Sequence, residues 1–352
     1  MRPPAMSDVA ARAGVSHQTV SRVLNDHPSV RPETRERVLA AIQELGYRRN
    51  SAARALVTAR STTVGVLTSG SAHFGPAMTV LAVEAALRRE GYFVSTSALA
   101  SYDSASAADA LERLVDQGVD GVVAVAPLDD VAGVVDDSAT PCPVVVVAAR
   151  RDVPDTAHAQ YVYVDQYRGA ELATEHLLDL GHDHLVHLAG PDRWFDAAER
   201  IAGFLATAGV RGADAQVVAA LGWSARRGYE LGMSLAAQAR RPGGPTGFFA
   251  ANDLIAMGLL RAFWEQGLRV PDDVSVVGFD DIEGSAFLVP ALTTVRQPFE
   301  DVGRAAVSAL LDAWETEDED ARPRTAAVFA PELVVRGSTA GRPGGAAAEA
   351  TP

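Results

Sequence analysis

Apolar positions over the first fifty residues recur at helical spacing, and from Thr63 onward they gather into short runs separated by longer amphipathic stretches. In residues 7–25, SDVAARAGVSHQTVSRVLN, the spacing of Val9, Ala10, Ala13, Val15, Val20 and Val23 predicts two short helices that close a small core, joined by a turn at Gly14-Val15. Polar His17, Gln18, Ser21 and Arg22 are left outside. A third helix is predicted from Pro32-Glu33 to about Leu45, with Val38, Leu39, Ile42 and Leu45 as its apolar stripe. Beyond Thr63 the runs TVGVLTS, YFVSTSAL, VDGVVAVAP, PVVVVAA, HLVHLAG, PTGFFAAND and VSVVGFDD read as strands, and MTVLAVEAALRREG and GAELATEHLLDLG read as helices. Such alternation predicts parallel sheets covered by helices, an α/β core whose strands end in the polar or glycine-rich loops where ligands bind.

The first two helices have the layout of a helix-turn-helix, whose second helix enters the DNA major groove. Ser16 is placed to cap that helix. Gln18 can pair with adenine, Arg22 with guanine O6 and N7, and His17 can meet a base acceptor or a thymine methyl. Ser7, Thr19 and Ser21 suit phosphates, which position a protein without reading sequence; Asn25 and Asn50 complete the polar candidates. The alternative is an ordinary helical hairpin with solvated polar residues. Charge favours the DNA reading: the net −14 divides into a head, residues 1–60, with ten arginines against five carboxylates, and a remainder with 21 against 40. A head at +5 on a body at −19 predicts DNA contact through the head alone.

At 352 residues and 48% apolar content the chain suits two or three compact units. It has no apolar run long enough for a membrane span and no secretory signal pattern, and the single Cys142 cannot form an internal disulfide; a cytoplasmic protein is expected. GHDHLVHL places His182, His184 and His187 close together, but strand alternation puts His184 and His187 on opposite faces, so no metal is expected. No phosphate-binding glycine loop and no GxSxG elbow is present, and no cofactor or enzymatic activity is expected.

The motifs DVA..AGVS.QTVSRV.N, TRE.V..A..EL.Y, N...A..L, VSVVG, ANDL.A.G and LTT...Q.F together resemble the LacI/GalR family of bacterial repressors, to about Arg336. The resemblance implies a helix-turn-helix head (1–49), a hinge helix and linker (50–61), and a core (62–337) of two parallel-sheet subdomains like periplasmic sugar-binding proteins. The first subdomain is expected over about 62–162 and 293–323, the second over about 163–292 and 324–337, with a disordered tail from 338 to 352. It implies that paired hinge helices place Ala53 and Leu56 in the minor groove, bending the DNA at its centre. It also implies an effector cleft. Arg200, Trp223, Asn252, Asp280, Gln297 and Phe299 match inducer contacts, Ser69, His73 and Phe74 would face them, and Trp194 and Asp196 fall in a selectivity loop. Asp253 is expected to cap a helix. In one departure, Ala148 stands where the family pattern has an aspartate that binds sugar hydroxyls. The expected protein is a homodimer on a pseudo-palindromic operator, released by a sugar such as a β-galactoside or related glycoside. A non-sugar or phosphosugar effector, or a ligand acting as corepressor, stays open. The Gly- and Ala-rich C-terminus lacks leucine heptads, so a tetramer is not expected.

Overall fold

The computed structural model describes residues 4–47, 60–70, 73–150, 159–316 and 325–342, in two compact units, Met1–Ser61 and Thr62–Pro352. In the first, helices α1 (Met6–Ala13), α2 (His17–Leu24) and α3 (Pro32–Leu45) share one small core of Val9, Ala10, Ala13, Val20, Val23, Val38, Ala41 and Tyr47, with Val15 partly buried against it. Helix α1 stops at Gly14, whose φ of 64° turns the chain where a side chain would be strained. Ser16 caps α2, its Oγ accepting from the Thr19 N–H at 3.2 Å. The stripe expected on α3 is corrected at one position: Leu39 is half exposed, and Ala41 takes its place. Positions 38, 41, 42 and 45 follow the i, i+3, i+4, i+7 pattern of one helix face, and 39 falls off it. An ion pair of Arg12 with Glu44 at 2.7 Å braces α1 against α3.

The second unit holds two six-stranded sheets. The first uses β1 (Thr63–Thr68), β2 (Phe93–Ala98), β3 (Gly121–Val125), β4 (Val144–Val147), β5 (Gln160–Val164) and β11 (Thr325–Phe329), ordered β11-β5-β4-β3-β1-β2, all parallel. The second uses β6 (His184–Ala189), β7 (Asp214–Ala219), β8 (Gly247–Ala250), β9 (Ser275–Asp280), β10 (Thr293–Arg296) and β12 (Glu332–Val334), ordered β12-β10-β9-β8-β6-β7, with only β12 antiparallel. Helices α4 (Phe74–Arg89), α5 (Ser104–Asp116) and α6 (Asp129–Asp137) accompany the first sheet. Helices α7 (Gln166–Asp179), α8 (Phe195–Val210), α9 (Ala225–Ala239) and α10 (Asp253–Glu265) accompany the second. Helix α11 (Phe299–Glu315) returns to the first, burying Val302, Ala306 and Leu310 against Val123, Val145 and Val162. Among the described residues no helix is long and apolar enough to cross a membrane.

The subdomain boundaries differ from expectation in two places. Residues 293–296, assigned to the first subdomain, form β10 and pair with β9 in the second sheet; residues 325–329, assigned to the second, form β11 and pair with β5 in the first. Both strands are short edge or near-edge additions whose sheet is decided by the partner they reach. The tail expected to be disordered from 338 is ordered over 338–342. Ser338 is buried, donating to the Val276 carbonyl (2.6 Å) and accepting from the Thr293 N–H (2.8 Å), and the Arg342 N–H donates to the Leu180 carbonyl (2.9 Å). Backbone groups left over at the sheet margin are satisfied this way. Residues 343–352 lie outside the described residues, as do Asn50, Ala53 and Leu56 of the expected hinge.

Candidate functional site

On the head, α2 presents Gln18 and Arg22 one turn apart, on one exposed face, with exposed His17 and half-buried Ser21 beside them. Ser7 is exposed on α1 and Asn25 follows the end of α2. Ser16 and Thr19 share a hydroxyl hydrogen bond of 2.9 Å besides the cap, so both hydroxyls help fix the helix start.

In the second unit a cleft opens where the strands of both sheets end. One compartment, about 290 Å³, is lined by His73, Phe74, Trp194, Asp196, Arg200, Trp223, Asn252, Asp280 and Gln297, together with Gly75 and Pro76. An adjoining compartment of about 430 Å³ shares Gly75, Pro76, Asp196 and Gln297 and adds Phe299 and the ends of β3, β4 and β5. Ten of the eleven expected effector residues therefore come together. Ser69 is buried at the end of β1 and lines neither compartment.

A polar chain runs along the floor. Arg200 Nε donates to Gln166 Oε1 (2.9 Å), Gln166 Nε2 to Gln297 Oε1 (2.8 Å), and Gln297 Nε2 to Asp280 Oδ1 (2.7 Å). Arg200 also donates to the Ala251 carbonyl, stacks 3.7 Å above the Phe279 ring centroid and approaches Asp196 at 3.8 Å. Burial lowers the Arg200 pKa, against the pull of Asp280, Asp196 and Asp253. Gln166 was missed in the sequence because β5 before it was not recognised as a strand. Both glutamines sit where the chain crosses between the sheets, after β5 and after β10.

Asn252 rather than Asp253 caps α10: its Oδ1 accepts from the Ile255 N–H (2.8 Å) while its Nδ2 donates to the Trp223 carbonyl (3.1 Å). Asp253 instead ties three segments together, accepting from Thr294 Oγ1 (2.5 Å), Ser285 Oγ (2.6 Å) and the Ile282 N–H (2.9 Å). Trp223 is packed against Gly190, and its buried indole N–H meets no acceptor among the described residues, a group that a ligand oxygen would satisfy. Asp280 adopts φ of 110° at the end of β9, a conformation rare for a residue with a side chain and typical of functional sites. Burial pushes its carboxyl up to about 7, against the opposing pull of Arg200.

That position gives a pH prediction. Hydroxyl donors on a ligand favour the ionised carboxylate, so binding draws the Asp280 pKa down and releases a proton. Effector affinity is expected to fall from about pH 8 to about pH 6, by up to roughly tenfold per unit, and Asp280→Asn is expected to flatten the profile. Calorimetric titration in buffers of different ionisation enthalpy reads the proton; a flat wild-type profile with no proton released would contradict this.

Across the cleft, the Leu128–Trp194 bridge and the Phe195 N–H donating to the Pro127 carbonyl (3.0 Å) tie the two subdomains, joined by an Arg193–Asp130 ion pair. Trp194 meets His73, Trp223 and Tyr102 edge-on at ring distances of 5.4, 5.4 and 6.1 Å. The three histidines of GHDHLVHL have separate partners: His182 bonds Thr246 and Ser275, His184 faces Asp214 at 3.5 Å, and His187 stacks on Phe249.

Two family descriptions match: the lacI family of bacterial regulatory proteins over residues 5–50, and a periplasmic binding protein-like domain over 174–339. The chain is 36% identical to the lactose operon repressor of Escherichia coli (strain K12) over 313 residues, 88% of this chain and 85% of that one. It is similar to the crystal structure of the lac repressor dimer bound to operator and the anti-inducer ONPF, with a TM-score of 0.85 and 33% identity over 96% of this chain and all of that one. It is also similar to a transcriptional regulator CelR–cellobiose complex, with a TM-score of 0.68 and 31% identity over 95% and 99% of the two chains. With a helix-turn-helix at one end and a ligand-sized cleft between two parallel sheets, this chain belongs to the LacI family of DNA-binding transcriptional regulators.

Proposed function

We propose that the protein is a repressor of carbohydrate-utilisation genes, released from a pseudo-palindromic operator by a sugar bound in the cleft. The observation that carries this is the convergence of Arg200, Asp280, Asn252 and Gln297 beside Trp223 in one cavity. An arginine fork, a carboxylate and amides suit adjacent hydroxyls, and an indole suits the apolar face of a sugar ring. Arg200 is the only cation lining the cavity among the described residues, beside two carboxylates, which argues against a phosphosugar.

In this reading Gln18, Arg22 and His17 read bases, Ser7, Ser16, Thr19, Ser21 and Asn25 hold the backbone, and Asn50, Ala53 and Leu56 belong to a hinge in the minor groove. A homodimer matches the twofold operator, and exposed Phe93, Phe287 and Val289 are what a subunit contact would cover. Sugar binding changes how the two subdomains sit across the Trp194 bridge and loosens the hinge. Coupling is reciprocal, so operator must weaken sugar binding by the same factor.

The test is fluorescence anisotropy of a palindromic duplex from the gene's own upstream region, titrated with protein and then with a glycoside panel. Tight binding reversed by a glycoside is the expected result; binding that only strengthens with ligand would make it a corepressed regulator. Arg22→Ala is expected to cost about 1–3 kcal/mol on the operator and little on unrelated duplex. Equal loss on both would reduce Arg22 to a phosphate contact.

A further inference from the structure

The polar chain on the cleft floor has a direction. Arg200 Nε can only donate, and an ionised Asp280 can only accept. These two ends force the amides between them. Gln166 turns its carbonyl to Arg200 (2.9 Å) and its NH2 to Gln297 (2.8 Å), and Gln297 turns its carbonyl to Gln166 and its NH2 to Asp280 (2.7 Å). The groups left for a ligand are fixed as a result. Of the guanidinium nitrogens, Nε is held by Gln166 and Nη1 by the Ala251 carbonyl, which leaves Nη2 on the side of Asp196. Of the Asp280 oxygens, Oδ1 is held by Gln297, and Oδ2 accepts from no donor among the described residues. Gln166 itself opens α7, is 4% exposed and does not line the compartment that holds Arg200 and Asp280. Its oxygen and one N–H are spent on the chain. It follows β5 of the first sheet while Gln297 follows β10 of the second, so the amide pair also joins the two chain crossings.

We propose that Gln166 is a positioning residue of the effector site: it orients the Arg200 guanidinium directly and the Asp280 carboxylate through the Gln297 amide, so that the site presents a donor edge beside an acceptor oxygen. The assignment rests on the cleft being the effector site, as proposed above. Two neighbouring hydroxyls of a ligand can then accept from Arg200 and donate to Asp280. Reversing the polarity at Gln166 should reach Asp280 through Gln297. In Gln166→Glu both side-chain oxygens accept, so the Gln297 amide must turn its NH2 to residue 166 and its carbonyl to Asp280. Two acceptors at that distance are tolerated only when Asp280 carries a proton.

The free, full-length protein, labelled with 13C at the aspartate carboxyls, tests this by NMR titration; the resonance missing from Asp280→Asn identifies Asp280. Asp280 is faced by Arg200 and Asp196 of α8, Asp253 of α10 and Gln297, and none of these changes in a variant at 166. Gln166→Glu is expected to raise the Asp280 midpoint by about one pH unit or more. Gln166→Met, which cuts the chain without adding charge and guards against misfolding of the first variant, is expected to raise it by less. Added charge acts through space as well, so both variants are repeated on Gln297→Met. With the middle link gone, most of each rise is expected to vanish, a non-additivity that marks coupled residues. Equal rises with and without Gln297, or no rise in either variant, would overturn the proposal. No sugar enters this titration, so the sugar reading is judged separately. A glycoside that releases operator is expected to bind Gln166→Glu at least about tenfold more weakly at pH 7, where a protonated Asp280 donates instead of accepting. Failure of every glycoside would remove the sugar reading and leave the Asp280 titration to decide the role of Gln166.

Discussion

Replacing Arg200 with alanine is expected to remove the response to effector while operator affinity, measured below the melting temperature, stays within a few-fold of wild type. Arg200 is 2% exposed and does three things at once. Its Nε holds Gln166 at 2.9 Å, its fork reaches the Ala251 carbonyl, and its charge offsets Asp196 and Asp280. Loss of two charge-assisted hydrogen bonds to ligand hydroxyls is worth roughly 3 kcal/mol or more, a hundredfold or greater drop in affinity. The variant is also expected to melt earlier. It strips buried carboxylates of their counter-charge, a change that costs about 3–5 kcal/mol where a buried pair is broken, and it leaves a space above Phe279. Arg200→Lys keeps the charge but loses the planar fork, so it is expected to recover stability before it recovers binding. Calorimetry for the effector and a thermal melt separate the two effects. A normal effector titration in the alanine variant would remove Arg200 from the site.

The second large effect is on stability, where α9 meets α10. A Cβ on Gly258 would stand 1.9 Å from the Ala225 carbonyl oxygen and 2.6 Å from the Tyr229 nitrogen; one on Gly228 would stand 2.1 Å from the Ile255 carbonyl oxygen. These are backbone atoms of the opposing helix, so neither clash can be relieved by a side-chain rotation. The helices must separate, opening the contact that carries Asn252 at the start of α10 and Trp223 just before α9. Gly258→Ala is expected to destabilise the body by on the order of 3 kcal/mol, roughly 6–12 °C in a unit of this size, with effector affinity falling alongside. Gly209, exposed in the last turn of α8 with open space around it, is the control. Gly209→Ala is expected to be neutral or to stabilise by up to about 1 kcal/mol. Equal melting temperatures for Gly258→Ala and Gly209→Ala would show that the helices adjust freely.

Legibility in the sequence followed how much of an element's character is local. The head could be read closely because helix caps and turns are written in neighbouring residues: Gly14, Ser16 and Pro32 mark their boundaries where the structure has them. The buried central strands β3, β4, β8 and β9 announced themselves as unbroken apolar runs. The unread strands were different. β5 is buried but breaks its valines with Gln160, Tyr161 and Tyr163 and so is no unbroken apolar run, β7 is an edge strand with half-exposed residues, and β10, β11 and β12 are three to five residues long. Their pairing comes from distant chain segments, which no local pattern encodes, and that is why the subdomain boundaries fell in the wrong places. The cleft residues that motifs could carry, Arg200, Asn252 and Asp280, were found. Tyr102 against Trp194, the Pro127–Leu128 bridge and Gln166 were not, because each matters only through a partner on the other sheet.

The interleaving of the two sheets also bears on how the chain is made. A protein emerges from the ribosome N-terminus first, and domains tend to fold as units as they appear. The three-helix head is contiguous and can fold early. The first sheet cannot be completed in the same way: its strands β1 to β5 are synthesised by residue 164, but α11 follows only at 299–315 and β11 at 325–329. Until then Val123, Val145 and Val162 lack the Val302, Ala306 and Leu310 that cover them. A nascent chain therefore carries a finished DNA reader on an unfinished, adhesive body for much of its synthesis. A message truncated before residue 299 would yield material prone to aggregation instead of a regulator with half its functions.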